Sequence, residues 1–128
     1  MNTGIRILLG LLSLLFIVLG LRAMAMPEDA AASFFIEAQG AAGASTVRGD
    51  IGGMFLAAGL IVAIGLMPRT EHWLYSAAIL MAAIALGRIV SLVFDGYAQS
   101  AATALAIEIV SIIVLVFGAL RLRVRHEG

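Results

Sequence analysis

Two ionisable residues stand inside otherwise apolar runs: Arg88 in WLYSAAILMAAIALGRIVSLVF and Glu108 in AATALAIEIVSIIVLVFGAL. An ionisable side chain at membrane depth costs about 2.5 to 3.5 kcal/mol on insertion scales, so it usually faces protein or water and has a partner. Arg88 lies seven residues before Asp95 and Glu108 seven after Ala101. At the rise of a helix, each is then about 10 Å from the same end of neighbouring helices. The short turn DGYAQS makes those helices antiparallel, and an Arg88–Glu108 salt bridge is the geometric expectation. Asp95 shares the face of Arg88 by its spacing, and Arg48 and Asp50 open another helix on that side. Together Arg48, Asp50, Arg88, Asp95 and Glu108 form a candidate intramembrane polar cluster in the outer leaflet. Such a cluster either fixes helix register as an ion-pair network or binds or relays a small solute, a lipid headgroup or a proton. Pairing weakens the relay, because a guanidinium favours the charged form of its carboxylate.

Other chemistry finds no foothold. There is no G-x-S-x-G elbow, no GxxxxGK[ST], no H-E-x-x-H and no dinucleotide fingerprint. His72 and His126 fall beside Glu71 and Glu127 at a membrane boundary, without the spacing of a metal site, and read as solvated side chains. The absence of cysteine removes disulfides, thiolate ligands and a Cys nucleophile. No catalytic residue, cofactor or metal is expected, and the chain reads as no enzyme.

The elements that must hold these charges follow from composition. Of 128 residues, 62% are hydrophobic and 12% charged, with eight arginines balancing eight acids and a mean hydropathy of +1.10. A soluble domain carries about 25% charged residues, and the missing cationic excess leaves no footprint for nucleic acid. A bilayer-crossing helix needs about 20 apolar residues. Four stretches approach that length: Ile5 to Met26, Ile51 to Met67 (stopped by Pro68), Trp73 to Phe94, and Ala101 to Leu120. None alternates as a membrane β-strand would. The expected fold is therefore one all-α integral membrane domain over 1–128, a four-transmembrane-helix bundle. Arg6, Ile7 to Leu21 and Ala23-Met24-Ala25 also have the grammar of a secretory signal, but Arg22 sits awkwardly before that cleavage site, and an uncleaved helix is the preferred reading.

Arg6, Arg69, Arg121, Arg123 and Arg125 fall on one side of such a bundle and Arg22 and Arg48 on the other. Positive charge is retained in the cytoplasm, so both termini are expected there, in the cytoplasmic (inner) membrane. The outer loop, 27–49, is expected to begin with a short interfacial helix started by Pro27, Glu28 and Asp29 and ended by Gly40. Phe34 and Phe35 are its greasiest positions, and GAAGASTV follows as a flexible linker. Small residues spaced by four, Gly49 with Gly53, Ala83 with Gly87 and Ser91, and Ala102 with Ala106, read as packing seams. Gly10, Gly20, Gly59 and Gly65 are further candidates.

The residues Arg48-Gly49-Asp50-Ile51-Gly52-Gly53, Gly59, Leu86-Gly87-Arg88-Ile89-Val90-Ser91-Leu92, Asp95-Gly96 and Ile107-Glu108-Ile109, with Pro27 after the first helix, resemble the small bacterial membrane proteins known as domain of unknown function 4345. The resemblance covers nearly the whole chain, and departs from the pattern at Ile51, where an aromatic residue is expected. It implies a four-helix integral membrane protein and supplies no activity. A looser similarity to DoxX-like four-helix proteins concerns the fold alone. The reading is a noncatalytic accessory or oligomeric membrane component, with the lipid bilayer and either further copies or another membrane protein as partners. The alternative is binding or transport through the outer polar cluster.

Overall fold

The structure, a computed structural model, describes residues 2–127, with side chains described from 2 to 124. The described residues are helical with no strand: α1 is Asn2–Ala25, α2 Pro27–Ser33, α3 Gly40–Thr46, α4 Gly53–Gly65, α5 Trp73–Phe94 and α6 Gln99–Glu127. A π-helical segment, Val47–Gly52, joins α3 to α4 without a break. Four helical stretches are long and apolar enough to cross a membrane: Asn2–Ala25, Gly40–Gly65, Trp73–Phe94 and Gln99–Val124. Two compact units are formed, one from residues up to Leu9 together with those from Ile61 onward, the other from Gly10–Leu60.

In the Gly10–Leu60 unit, α1 and α4 pack backbone to backbone. A Cβ added at Gly59 would lie 2.8 Å from the Ser13 carbonyl oxygen and 2.9 Å from the Ile17 nitrogen, so only glycine fits. Gly20 is as tight, 2.6 Å from the Leu56 nitrogen. Close approach of this kind is how helices associate where lipid removes the hydrophobic drive between them. It also brings the Ser13 hydroxyl within 2.7 Å of the Gly59 carbonyl, to which it donates. The seams expected at Gly49, Gly53 and Gly87 have no counterpart within this chain, since nothing lies within 4 Å of a Cβ at any of the three, and contact with another chain is left open. Spacing by four identifies a face but not what the face meets.

The loop after α1 differs from expectation in two places. Helix α2 ends at Ser33 rather than at Gly40. Phe35 takes a left-handed φ of 59°, its N–H bonds the Ala32 carbonyl and that of Ile36 the Ala31 carbonyl, the double closure of a Schellman motif. Phe34 is thereby turned onto Phe55, stacked at 5.6 Å, while Phe35 is left 81% exposed. Gly40 begins α3 instead of ending α2, and GAAGASTV is helix rather than linker. Its alanines are strong helix formers, and Gly43 permits the chain to pass close to Ala38. The second membrane-length stretch therefore starts at Gly40, eleven residues before Ile51.

In the other unit, α5 keeps its expected bounds and Gly96, at φ 94°, makes the turn into α6. Helix α6 outlasts its apolar run because the arginine-rich end RLRVRHE is still good helix former. Arg6 donates from Nη2 to the Leu66 carbonyl at 2.7 Å, satisfying an acceptor just beyond the end of α4.

Candidate functional site

The buried side of α5 comes from Leu74, Ala77, Ala78, Met81 and Ala85, and within it the series Leu74, Ala78, Met81, Ala85 continues, at alternating spacings of four and three, through Arg88 and Leu92, both partly buried. On α6 the matching series is Ala101, Ala104, Glu108, Ser111, Leu115, Gly118 and Leu122, buried from Glu108 onward. A strict 3.5-residue repeat of this kind is the seam of a left-handed helix pair. Arg88 and Glu108 thus occupy seam positions. Counted antiparallel from them, the register aligns Ala85 with Ser111 and Met81 with Leu115, while further along Gly118 faces Leu9 of α1 and Leu74 packs on Gly65 of α4.

The direction of side chains on a helix brings the two charges together. Each Cα–Cβ bond tilts toward the N-terminus of its own helix, so on antiparallel helices the two side chains lean in opposite senses. Arg88 lies about 9 Å from the C-terminal end of α5 and leans deeper, whereas Glu108 lies about 13 Å inside α6 and leans back toward the turn. They meet with Arg88 Nε donating to Glu108 Oε1 at 3.1 Å. The contact uses one nitrogen. Arg88 Nη1 and Nη2 have no partner among the described residues, on a side chain that is 38% exposed. Glu108 is the reverse case, its side chain 11% exposed and its Oε2 buried with no hydrogen-bond partner among the described residues.

Of the other residues of the expected cluster, Asp95 belongs to the same unit as the pair and Arg48 and Asp50 to the Gly10–Leu60 unit. Asp95 is exposed at the end of α5, with its N–H on the Ser91 carbonyl, and it pairs with no cation among the described residues. Arg48 and Asp50 are both exposed in the π segment. Arg48 Nη1 donates to the carbonyl of Met24, near the end of α1. A cation on the last carbonyls of a helix satisfies acceptors that have no partner inside the helix and complements the negative end of its dipole.

The π segment explains how Arg48 gets there. From Gly52 the buried face of α4 runs through Gly59 and Val62 at helical spacing. Continued backwards with ordinary turns, that face would include Arg48. The wider π turn puts Val47, 3% exposed, into the packed position and swings the guanidinium out. Such insertions often mark functional positions in helices. The only signal for it in the sequence is the glycine clustering around Arg48 and Asp50, which spacing rules read as ordinary helix.

His72 is exposed just before α5, its ring 6.0 Å from that of Trp73. The side chains of Arg125, His126 and Glu127 lie outside the described residues.

The family model described as Domain of unknown function (DUF4345) matches residues 4–119, a stretch that contains all five residues of the expected cluster. No curated protein and no solved structure matches the chain.

Proposed function

The chain belongs to the family Domain of unknown function (DUF4345), and from that premise we propose that it is a noncatalytic component of the cytoplasmic membrane, an accessory subunit or small homo-oligomer with both termini cytoplasmic. The observation that carries this reading is the guanidinium of Arg88, partly exposed about 9 Å from the end of a membrane-length helix with both terminal nitrogens unpartnered among the described residues. A charge left in hydrocarbon is costly, so protein or water must meet it. Gly87, beside it and open, lets the backbone of a neighbouring helix come near enough to offer carbonyls. The sequence adds the want of any catalytic motif, and the distribution of arginines supports the orientation.

Native mass spectrometry of the protein extracted with its lipids tests this reading. Two or more copies, or a stoichiometric second protein, is the expected result. A bare monomer in every mild detergent would overturn it. The second reading, binding of a small solute, lipid headgroup or proton at the pair, is favoured by the buried Oε2 of Glu108, which has no hydrogen-bond partner among the described residues. A small molecule retained by the monomer would select it.

A further inference from the structure

The geometry points to a binding site for one anionic phospholipid in the groove between the start of α1 and the last turns of α6. The groove has a volume of about 440 Å³ and is lined by Asn2, Phe117, Leu120, Arg121 and Val124. It is separate from the Arg88–Glu108 pair and independent of the function proposed above.

The lining is amphipathic in the way a lipid is. The Arg121 guanidinium lies 4.9 Å from the centroid of the Phe117 ring, held there by cation–π attraction. Among the described residues no hydrogen-bond acceptor takes the N–H donors of this guanidinium. A phosphate fits that fork in a bidentate manner. The amide of Asn2 supplies a second polar group at the groove. Below the arginine, Ile113, Phe117 and Leu120 form an outward stripe, 61%, 44% and 51% exposed, along which an acyl chain can lie, and Val124, 68% exposed, flanks the arginine on the headgroup side.

Depth and charge agree with this occupant. The apolar run of α6 ends at Leu120 and RLRVRHE follows, so Arg121 is the first charged residue after the apolar run, where a helix leaves the hydrocarbon for the headgroups. Arg6, Arg69 and Arg123 lie at the same end of this unit, against Glu71 among the described acids. Arg6 donates to the Leu66 carbonyl through Nη2, and Arg69, Arg123 and Glu71 have interactions of their own. Among the described residues, Arg121 is the arginine at this end that makes no hydrogen bond or ion pair of its own. Basic pockets between membrane helices take lipid phosphates for these reasons.

The test uses the full chain in a neutral detergent, with phosphatidylglycerol, phosphatidylcholine or inorganic phosphate added at equal concentration. Lipid retention is read by native mass spectrometry and stability by the thermal midpoint. Phosphatidylglycerol should be retained about fivefold over phosphatidylcholine, the factor corresponding to about 1 kcal/mol per arginine at a membrane surface. R121Q should bring that ratio close to one, and R22Q, at the far end of α1, should leave it unchanged. V124W keeps the arginine and fills the groove, and it should also abolish the preference, which covers the case of an unstable R121Q. Equal retention of the two lipids by the unmodified chain would overturn the site, as would a preference that survives R121Q or V124W. Stabilisation by phosphate alone equal to that by phosphatidylglycerol would make it an anion site and overturn the lipid.

Discussion

Arg88 and Glu108 share one layer of the α5–α6 seam, joined by a single Nε to Oε1 bond of 3.1 Å, the cation partly open and the carboxylate buried. That asymmetry makes the two single deletions unequal. Arg88→Leu strands a carboxylate that has nowhere to go and should cost about 3 kcal/mol or more, the range for breaking a buried pair. Glu108→Leu leaves a guanidinium that can turn outward and should cost less. The double variant, an apolar layer in an apolar seam, should recover much of either loss. Unfolding in one detergent measures all three, and losses that simply add would show that the two residues are not coupled.

The glycines divide into close-packed and open ones. Gly59→Val would drive a branched side chain into the Ser13 and Ile17 backbone and should cost about 1 to 3 kcal/mol, lowering the thermal midpoint strongly. Gly87→Ile meets nothing within 4 Å in this chain, so it should leave the midpoint of the separated monomer nearly unchanged. It should, however, reduce copy number if another helix covers that face. Similar destabilisation of the monomer by both would contradict the packing described here.

Arg48 satisfies a carbonyl near the end of α1 from 24 residues away. Arg48→Gln should loosen that end, at a cost of about 0.5 to 1 kcal/mol for a cation at a helix C-terminus. Amide hydrogen exchange across the last turn, Leu21 to Ala25, should quicken while that of α5 stays as it was. Unchanged exchange at the end of α1 would remove the capping role.

The orientation can be read with cysteines at Glu37 and Glu127 and a membrane-impermeant thiol reagent on intact cells. Glu37 is exposed between α2 and α3. Labelling at 37 and not at 127 is the expected pattern, and the reverse would invert the topology.

Composition and run length alone determine that this is an all-helical chain with four membrane-length helices, because about 20 apolar residues without alternation admit few other structures. The Arg88–Glu108 pair was legible for a similar reason: two charges in adjoining antiparallel helices, at matched distance from a short turn, have one way to meet. The 3.5-residue seam that carries the pair was also in the sequence, but buried polar residues at Glu108 and Ser111 interrupt the apolar pattern by which seams are usually traced. What only the tertiary structure decided is which partner each small or charged residue takes. Gly59 and Gly87 look alike in sequence, yet one lies against a backbone and the other is open, because contact depends on the rotation of two helices about their axes. Arg48 reads in sequence as a member of a polar cluster and Arg6 as a charge near a helix end, yet each satisfies a carbonyl distant in sequence. The π turn at Val47–Gly52 shifts the phase of a whole helix face, and no local propensity distinguishes that widened turn from an ordinary one.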